Sequence, residues 1–301
     1  MAIDTEAARL LLLGAKSGVS FAHCATLGRQ SYLPGNNETR HLLRQFGHDP
    51  DRFPKLFGPS RGGRYAEPFF DVLGAKVLET IDASDFEGAT FVHDMNQPVP
   101  AGLLGRFDVV YDGGTLEHVF NFQVAIRNFM QMVKVGGRVI THTPANNYFG
   151  HGFYQFSPEL FYRVFSPPNG FEVERMIAIE YGPRRCAYEV MDPAVIKART
   201  PLINSFPVLL YVQARKKAEV PLFTECPQQS DYSAMWQEHA TQPGDGPGAA
   251  PDASGGFVER LKRGMIENTP ALARMLEAFL FSQLNRGFSF RNRTAFKPHT
   301  K

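Results

Sequence analysis

FDVVYDGGTLEHVFNFQVAIRNFMQMVKVGGRVITHTP, residues 107–144, changes its hydrophobic period twice within one unit. Residues 107–111 are an apolar run ending on Asp112, with the length and β-branched content of a buried strand. Phe122, Ala125, Ile126, Phe129, Met130 and Val133 then recur at i, i+3, i+4, i+7, i+8 and i+11, which is one apolar face of a helix. Gly136 and Gly137 are expected to stop that helix. Residues 138–143 read as a second strand, ended by Pro144. Strand, helix and strand in this order predict parallel neighbours joined by a covering helix.

The same alternation extends outward. Towards the N-terminus, residues 19–27 read as a buried strand ending at Gly28. Residues 65–73 read as a helix closed by Gly74, a residue suited to the left-handed cap conformation. Residues 76–81 form a strand ending on Asp82, and residues 90–93 a short strand ending on Asp94. Towards the C-terminus, residues 171–181 and 208–214 are strand candidates for an antiparallel edge. The fold class predicted for residues 1–217 is therefore α/β, a mostly parallel sheet flanked by helices. Residues 218–256 read as irregular, and 241–256 (TQPGDGPGAAPDASGG) as a flexible linker without a large apolar side chain. Residues 257–301 read as a small helical extension, with Thr269 and Pro270 starting a helix whose stripe is Leu272, Met275, Leu276, Phe279, Leu280 and Leu284. No internal repeat is present.

Composition removes several classes. The 301 residues suffice for one α/β core and an appendage, and 43% hydrophobic with 21% charged residues is ordinary for a globular chain. A formal charge of +2 gives no argument for nucleic acid, and none is expected as a partner. Cys24, Cys186 and Cys226 are odd in number and scattered, which fits a reducing compartment. The apolar run 10–13 is broken by Gly14 and Lys16, too short for a signal segment or a membrane span. A cytoplasmic location is expected. Residues 256–301 carry nine Lys/Arg against three Glu. Their helix is expected to pack on the core or on a second copy of the chain, forming a homo-oligomer. The basic tail offers the alternative of weak contact with an anionic membrane surface.

Ligands of open α/β sheets sit at the carboxyl ends of the strands, where this sequence places Asp82, Asp94 and Asp112. Aspartates there also serve as turn and cap residues, so each has a structural alternative. As a series they suit an adenosine-bearing cofactor. Asp82 would accept the ribose hydroxyls and Asp94 the adenine amino group, with Ile81 and Met95 against the ring. Residues 107–144 resemble the fourth-strand to fifth-strand part of class I S-adenosylmethionine-dependent methyltransferases. They have Phe107-Asp108 entering the strand, Glu117-His118 in the loop, the helix, Gly136-Gly137 and the closing Pro144. Residues 77–100 similarly resemble the second and third strands. The resemblance implies a Rossmann-like sheet and S-adenosyl-L-methionine as cofactor, with methyl transfer as the activity.

The first loop departs from the family. A glycine-rich turn is usual there, whereas this chain has Thr26-Leu27-Gly28-Arg29-Gln30, and Gly28 precedes Asp82 by 54 positions. An insertion over residues 31–64 is implied. Gly28 still permits close backbone approach, and Arg29 is a candidate clamp for the cofactor carboxylate, the alternative being a surface arginine. A degenerate loop would leave a methyltransferase fold without turnover, a binding or scaffold protein.

On the acceptor side, a hydroxyl nucleophile gains from a general base, for which His118, His142 and His151 are the candidates. Residues 146–158 (NNYFGHGFYQFSP) are dense in aromatics, amides and glycine. Asn146, Tyr148, His151 and Tyr154 are the candidate contacts for a small-molecule or glycan acceptor. The alternative is that these aromatics pack the loop onto the sheet, with Ser157-Pro158-Glu159 starting a helix. The run 150–158 also resembles one found in methyltransferase-like proteins associated with surface-polysaccharide genes. Methyl transfer to a hydroxyl or amine is the activity expected. Glu117 and His118 are adjacent, with no HxxxH or Cys/His cluster beside them, so no metal is expected. A nicotinamide-dependent oxidoreductase is disfavoured because neither GxGxxG nor a suitably placed Tyr-x-x-x-Lys occurs.

Overall fold

The computed structural model describes residues 2–58, 64–232 and 289–299. Two compact units divide the chain. One is Met1–Val190, Ser205–Pro227 and Pro298–Lys301; the other is Met191–Asn204 and Gln228–Lys297. Residues 191–204 thus leave the first unit and 218–227 remain with it, where the sequence suggested one boundary at 217.

The first unit opens with β1 (Ala2–Ile3) and α1 (Thr5–Lys16). Asp4 caps α1 by accepting from the Ala7 amide at 2.8 Å, which satisfies an otherwise orphaned donor. Ala7, Ala8, Leu10, Leu11 and Leu12 are buried, and Glu6 pairs with the buried Arg9 at 2.8 Å. The next elements are β2 (His23–Leu27), β3 (Ser31–Tyr32), α2 (Asn36–Gln45), α3 (Glu67–Val72), β4 (Val77–Asp82) and β5 (Phe91–Val92). Gly74 closes the turn after α3 at φ +88°, the left-handed conformation expected of it. Then follow β6 (Phe107–Asp112), α4 (Phe122–Met132), β7 (Val133–Asn146), α5 (Pro158–Val164), β8 (Phe171–Glu180), β9 (Cys186–Val190) and β10 (Val208–Lys216). The implied insertion is occupied, in its described part, by β3, α2 and two short 3-10 turns.

Within this unit the main sheet runs β5-β4-β2-β6-β7-β10-β8-β9. From β5 to β7 all neighbours are parallel. β10 is antiparallel to β7 on one side and to β8 on the other, and β9 is antiparallel to β8. The antiparallel edge expected from residues 171–181 and 208–214 is therefore present as the side β10-β8-β9, with β10 between β7 and β8. Val109 and Tyr111 of β6 join α1, α2 and α3 in one buried cluster, with Leu11, Leu42, Phe69 and Phe70 among its members. Successive strand residues face opposite sides, so Val110 and Val139, also buried, point to the other face. There α4 crosses from β6 to β7, touching both.

Two expectations for residues 133–146 need correction. Gly136 and Gly137 do not stop the helix: α4 ends at Met132, and Val133 already pairs with Phe107. The glycines sit in β7 where the register with β6 shifts, and a Cβ on Gly137 would lie 2.6 Å from the Asp108 carbonyl oxygen. Close strand approach, not helix termination, requires glycine there. Nor does Pro144 end the strand. It lies opposite Leu209 at a register shift, where a missing amide is tolerated.

In the second unit, a short helix, Pro193–Ile196, is capped by Asp192, and Arg199 pairs with Asp231 at 2.5 Å. Phe290 and Phe296 meet edge to face at 5.1 Å. The proposed linker 241–256, the stripe 272–284, Thr269, Arg286 and Lys301 lie outside the described residues, while Arg291, Arg293 and Lys297 are exposed. Among the described residues no helix is long and apolar enough to cross a membrane. All three cysteines are free.

Candidate functional site

The parallel strands β5, β4, β2, β6 and β7 all end at the same edge of the sheet, which is where a ligand meets several loops at once. Counted in sequence, these five occupy the spatial order third, second, first, fourth, fifth. An antiparallel strand, β10, is then inserted before the sixth, β8. The chain has the class I methyltransferase fold.

No family model and no curated protein matches the chain. Among solved structures it is similar to the N-methyltransferase NodS from Bradyrhizobium japonicum WM9, at 13% identity and TM-score 0.38, over 71% of this chain and 96% of that one. It is also similar to the trans-methyltransferase CalH complexed with SAH, at 15% identity and TM-score 0.36, over 70% and 55%. A third is the branched-chain polyamine synthase from Thermus thermophilus, at 12% identity and TM-score 0.35, over 75% and 61%. Strand order and direction carry the fold.

In the methyltransferase fold of this chain, the strand ends divide into an open half and a closed half. Asp82, at the end of β4, is half-buried and accepts the Ser84 amide at 3.2 Å. Asp94 is exposed. Its Oδ1 accepts from the Asn96 amide (2.9 Å) and side chain (2.7 Å), which lowers its pKa below the ordinary carboxylate value. Met95 and Ile81 are buried beside them. Both aspartates therefore remain accessible acceptors at neighbouring strand ends.

The first loop is more closed than its sequence suggested. Gly28 is buried at φ +67°, but its amide already donates to the Ile81 carbonyl at 2.7 Å. Arg29 does not present a free clamp. Its Nε donates to Glu67 at 2.6 Å and its guanidinium stacks 3.6 Å from the Tyr65 ring centre. Gln30 is buried and donates to the Leu27 and Gly28 carbonyls. A Cβ on Gly113 would lie 2.2 Å from the Gln30 Oε1. The Gln30 amide thus fills the gap between the ends of β2 and β6.

On the closed side, Asp112 is not a cofactor contact. It is fully buried, with one oxygen accepting the Thr141 hydroxyl at 2.7 Å and the other the Thr115 amide at 2.8 Å. Burial raises its pKa, and the carboxylate ties β6 to β7 and to the following loop. His142 is likewise no accessible base: it is buried in β7 and desolvation lowers its pKa, keeping the ring neutral.

The loop after β7 gathers the other candidates. The Phe153 amide donates to the Glu117 carbonyl at 2.7 Å, and Gly152, at φ +71°, lies so close that a Cβ would be 2.7 Å from that oxygen. This clamp brings His151 over Glu117 and His118. Glu117 Oε1 is 3.6 Å from His151 Nε2 and 4.0 Å from His118 Nε2, and the two imidazoles meet at 5.1 Å between centres. Both histidines are half exposed (50% and 52% of their side chains), whereas Glu117 is 1% exposed. Its Oε2 accepts the Thr143 hydroxyl at 3.0 Å. Burial first, and the nearby Asp112 second, push the Glu117 pKa up to about 7. His118 is lowered by burial and by His151.

Tyr148 packs edge-on to His151 at 5.6 Å, and burial pushes its hydroxyl up to about 12. The Tyr154 hydroxyl donates to the Phe120 carbonyl at 2.8 Å and its ring packs on Phe122, so this side chain pins the loop. Asn146 ends β7 opposite Val208. Ser157 caps α5 through the Glu159 amide, as its sequence suggests. Glu117 is the functional candidate that the sequence named only as half of a dipeptide. Its partners come from β7 and the loop beyond, at separations no local pattern reveals.

Proposed function

We propose that this chain transfers a methyl group from S-adenosylmethionine to a hydroxyl or amine of a small molecule or glycan precursor. The observation that carries the reading is the shared edge of the sheet. Accessible Asp82 and Asp94 stand at the ends of β4 and β5, and Glu117, His118 and His151 stand just beyond β6 and β7. The residues fit an adenosine: Asp82 for the ribose hydroxyls, Asp94 for the adenine amino group, Ile81 and Met95 against the ring. When bound, the cofactor supplies an electrophilic methyl carbon on a sulfonium.

The chain's own contribution is then alignment and proton management. An acceptor held over the strand ends meets the His118 and His151 imidazoles, which are exposed enough to take a proton from its nucleophilic atom. Phe149, Phe153 and Phe120 are all largely exposed around this cluster, with Phe120 and Phe153 edge to face at 6.1 Å. Aromatic faces beside imidazoles suit an acceptor with one apolar ring face and several hydroxyls, such as a sugar.

A second reading, a methyltransferase fold kept for binding without turnover, is favoured by one feature. Gln30 fills the space at the first loop, and Arg29 is held by Glu67, so the methionine end of the cofactor meets a side chain where the family has glycine. The assay that separates the readings measures S-adenosylhomocysteine release with a panel of sugars and small amines. The His151→Ala variant is expected to keep cofactor binding and to lose at least about 100-fold of turnover. Turnover equal to wild type would remove His151 from the chemistry. Cofactor binding with no product from any acceptor would support the second reading.

A further inference from the structure

We infer that Glu117, His118 and His151 form a binding site for one divalent transition-metal ion of the zinc class. The inference rests on the geometry of the three side chains and does not depend on the methyl-transfer reading. One oxygen of Glu117 and one nitrogen from each histidine converge with all three atoms within 4.8 Å of one another. The 3.6 and 4.0 Å separations from Glu117 Oε1 are too long for hydrogen bonds. They are close to what a shared ion imposes. Two ligands bonded to Zn2+ at about 2.0–2.1 Å in tetrahedral geometry lie about 3.4 Å apart. Completing the set takes about 0.2–0.6 Å of closure at the two Glu117 pairs and up to about 1.4 Å between the two imidazoles, a rotation of side chains that are half exposed.

The surroundings are those of a built site. The Glu117 oxygen not aimed at the histidines is held by the Thr143 hydroxyl at 3.0 Å, which fixes the carboxylate's rotation and leaves Oε1 to the cluster. The Glu117 carbonyl accepts from the Phe153 amide, and glycine at 152 permits that close approach of the loop. His151 is therefore held beside Glu117 by backbone hydrogen bonds, its own amide donating to the Tyr148 carbonyl at 3.0 Å. Two imidazole nitrogens and one carboxylate oxygen are donors that a zinc-class dication takes. Three protein ligands leave further positions open, and the exposed histidines turn them towards solvent, the pattern of a site that takes an exogenous oxygen or nitrogen. In the context of the proposed reaction, an ion bound here would make the two histidines ligands in place of proton acceptors, and its open position would receive the acceptor atom and lower its pKa.

The test uses the full chain after dialysis against a chelator. Co2+ is titrated as a spectroscopic probe, followed by Zn2+ in competition, with S-adenosylhomocysteine titrated separately into the same proteins. One Co2+ per chain should bind with the intense visible absorption of a four- or five-coordinate ion, and Zn2+ should displace it. His118→Ala and His151→Ala, both at half-exposed positions that leave the core intact, should each weaken binding by at least about 100-fold, and Thr143→Val by about 10-fold. Glu117→Gln should also abolish it, with circular dichroism confirming the fold. Wild-type binding no tighter than millimolar, or binding unchanged in both histidine variants, would overturn the site. Loss of S-adenosylhomocysteine binding with the metal titration intact would count against methyl transfer alone.

Discussion

The carboxylates of β4 and β5 and those of β6 stand at the same edge of one sheet and live in opposite environments. Asp94 is exposed and Asp82 half-buried, and among the described residues their carboxylates bond to the backbone and side chain of their own turns. Asp112 and Glu117 are buried, and each is bonded to a threonine of β7. The cause is position. β5 is a two-residue strand at the margin of the sheet, while β6 lies between β2 and β7 and is covered on both faces. A carboxylate at the margin is left available to a ligand. One in the middle becomes part of the structure unless a loop brings it partners, as 147–157 does for Glu117.

The largest effect that could break this contrast concerns Asp112. Asp112→Ala leaves the Thr141 hydroxyl and the Thr115 amide buried without acceptors, and should cost about 2–4 kcal/mol in urea denaturation. A change below about 0.5 kcal/mol would show that Asp112 is not structural. Next is the clamp that separates Glu117 from Asp112. Gly152→Ala forces a side chain into a left-handed position against the Glu117 carbonyl, and should destabilise by at least about 1 kcal/mol while displacing His151, visible as altered imidazole NMR shifts. Unchanged stability and spectra would mean the loop is not clamped.

Gln30→Ala removes two hydrogen bonds to the ends of β2, at about 1 kcal/mol, and empties the space beside Gly113. Calorimetry should then find S-adenosylhomocysteine bound more tightly than by wild type. Weaker binding would make Gln30 a contact rather than an obstruction.

The smallest effect belongs to Glu79, an intermediate case on β4. Its pKa is lowered first by hydrogen bonds from Arg106, at 2.6 and 2.9 Å, and then by His23. A depressed folded pKa gives stability that is present above the unfolded value, about 4.3, and lost as pH falls through the folded one. The stability advantage of wild type over Glu79→Gln should therefore hold at neutral pH and shrink below about pH 4. An advantage that persists in acid would place its origin in packing.

The contrast also explains what could be read in advance. The apolar face of α4 and the alternation around it carried the fold, because both periods report burial directly. Asp82 and Asp94 were legible as strand-end carboxylates because they ended runs. Asp112 ended a run equally well, yet its burial depends on Thr141 and Thr115, and the former belongs to a different strand. The Gly136-Gly137 pair looked like a helix stop, but the space it answers to is set by the Asp108 carbonyl across the ladder. α1 was missed because its helix is buried on most sides and shows no polar face beyond the Glu6–Arg9 pair. The approach of His151 to Glu117 left no local motif, since it depends on the fold of the loop.

Cofactor binding at the open half of this edge, as proposed above, would engage Asp82. Isothermal calorimetry of S-adenosylmethionine and S-adenosylhomocysteine with wild type and Asp82→Ala tests it most directly. Measurable binding to wild type is expected, weakened by at least about tenfold in Asp82→Ala through the loss of charge-assisted bonds to the ribose, with unfolding midpoints alike. Equal affinity in the two proteins, or no binding to wild type at millimolar ligand, would contradict it.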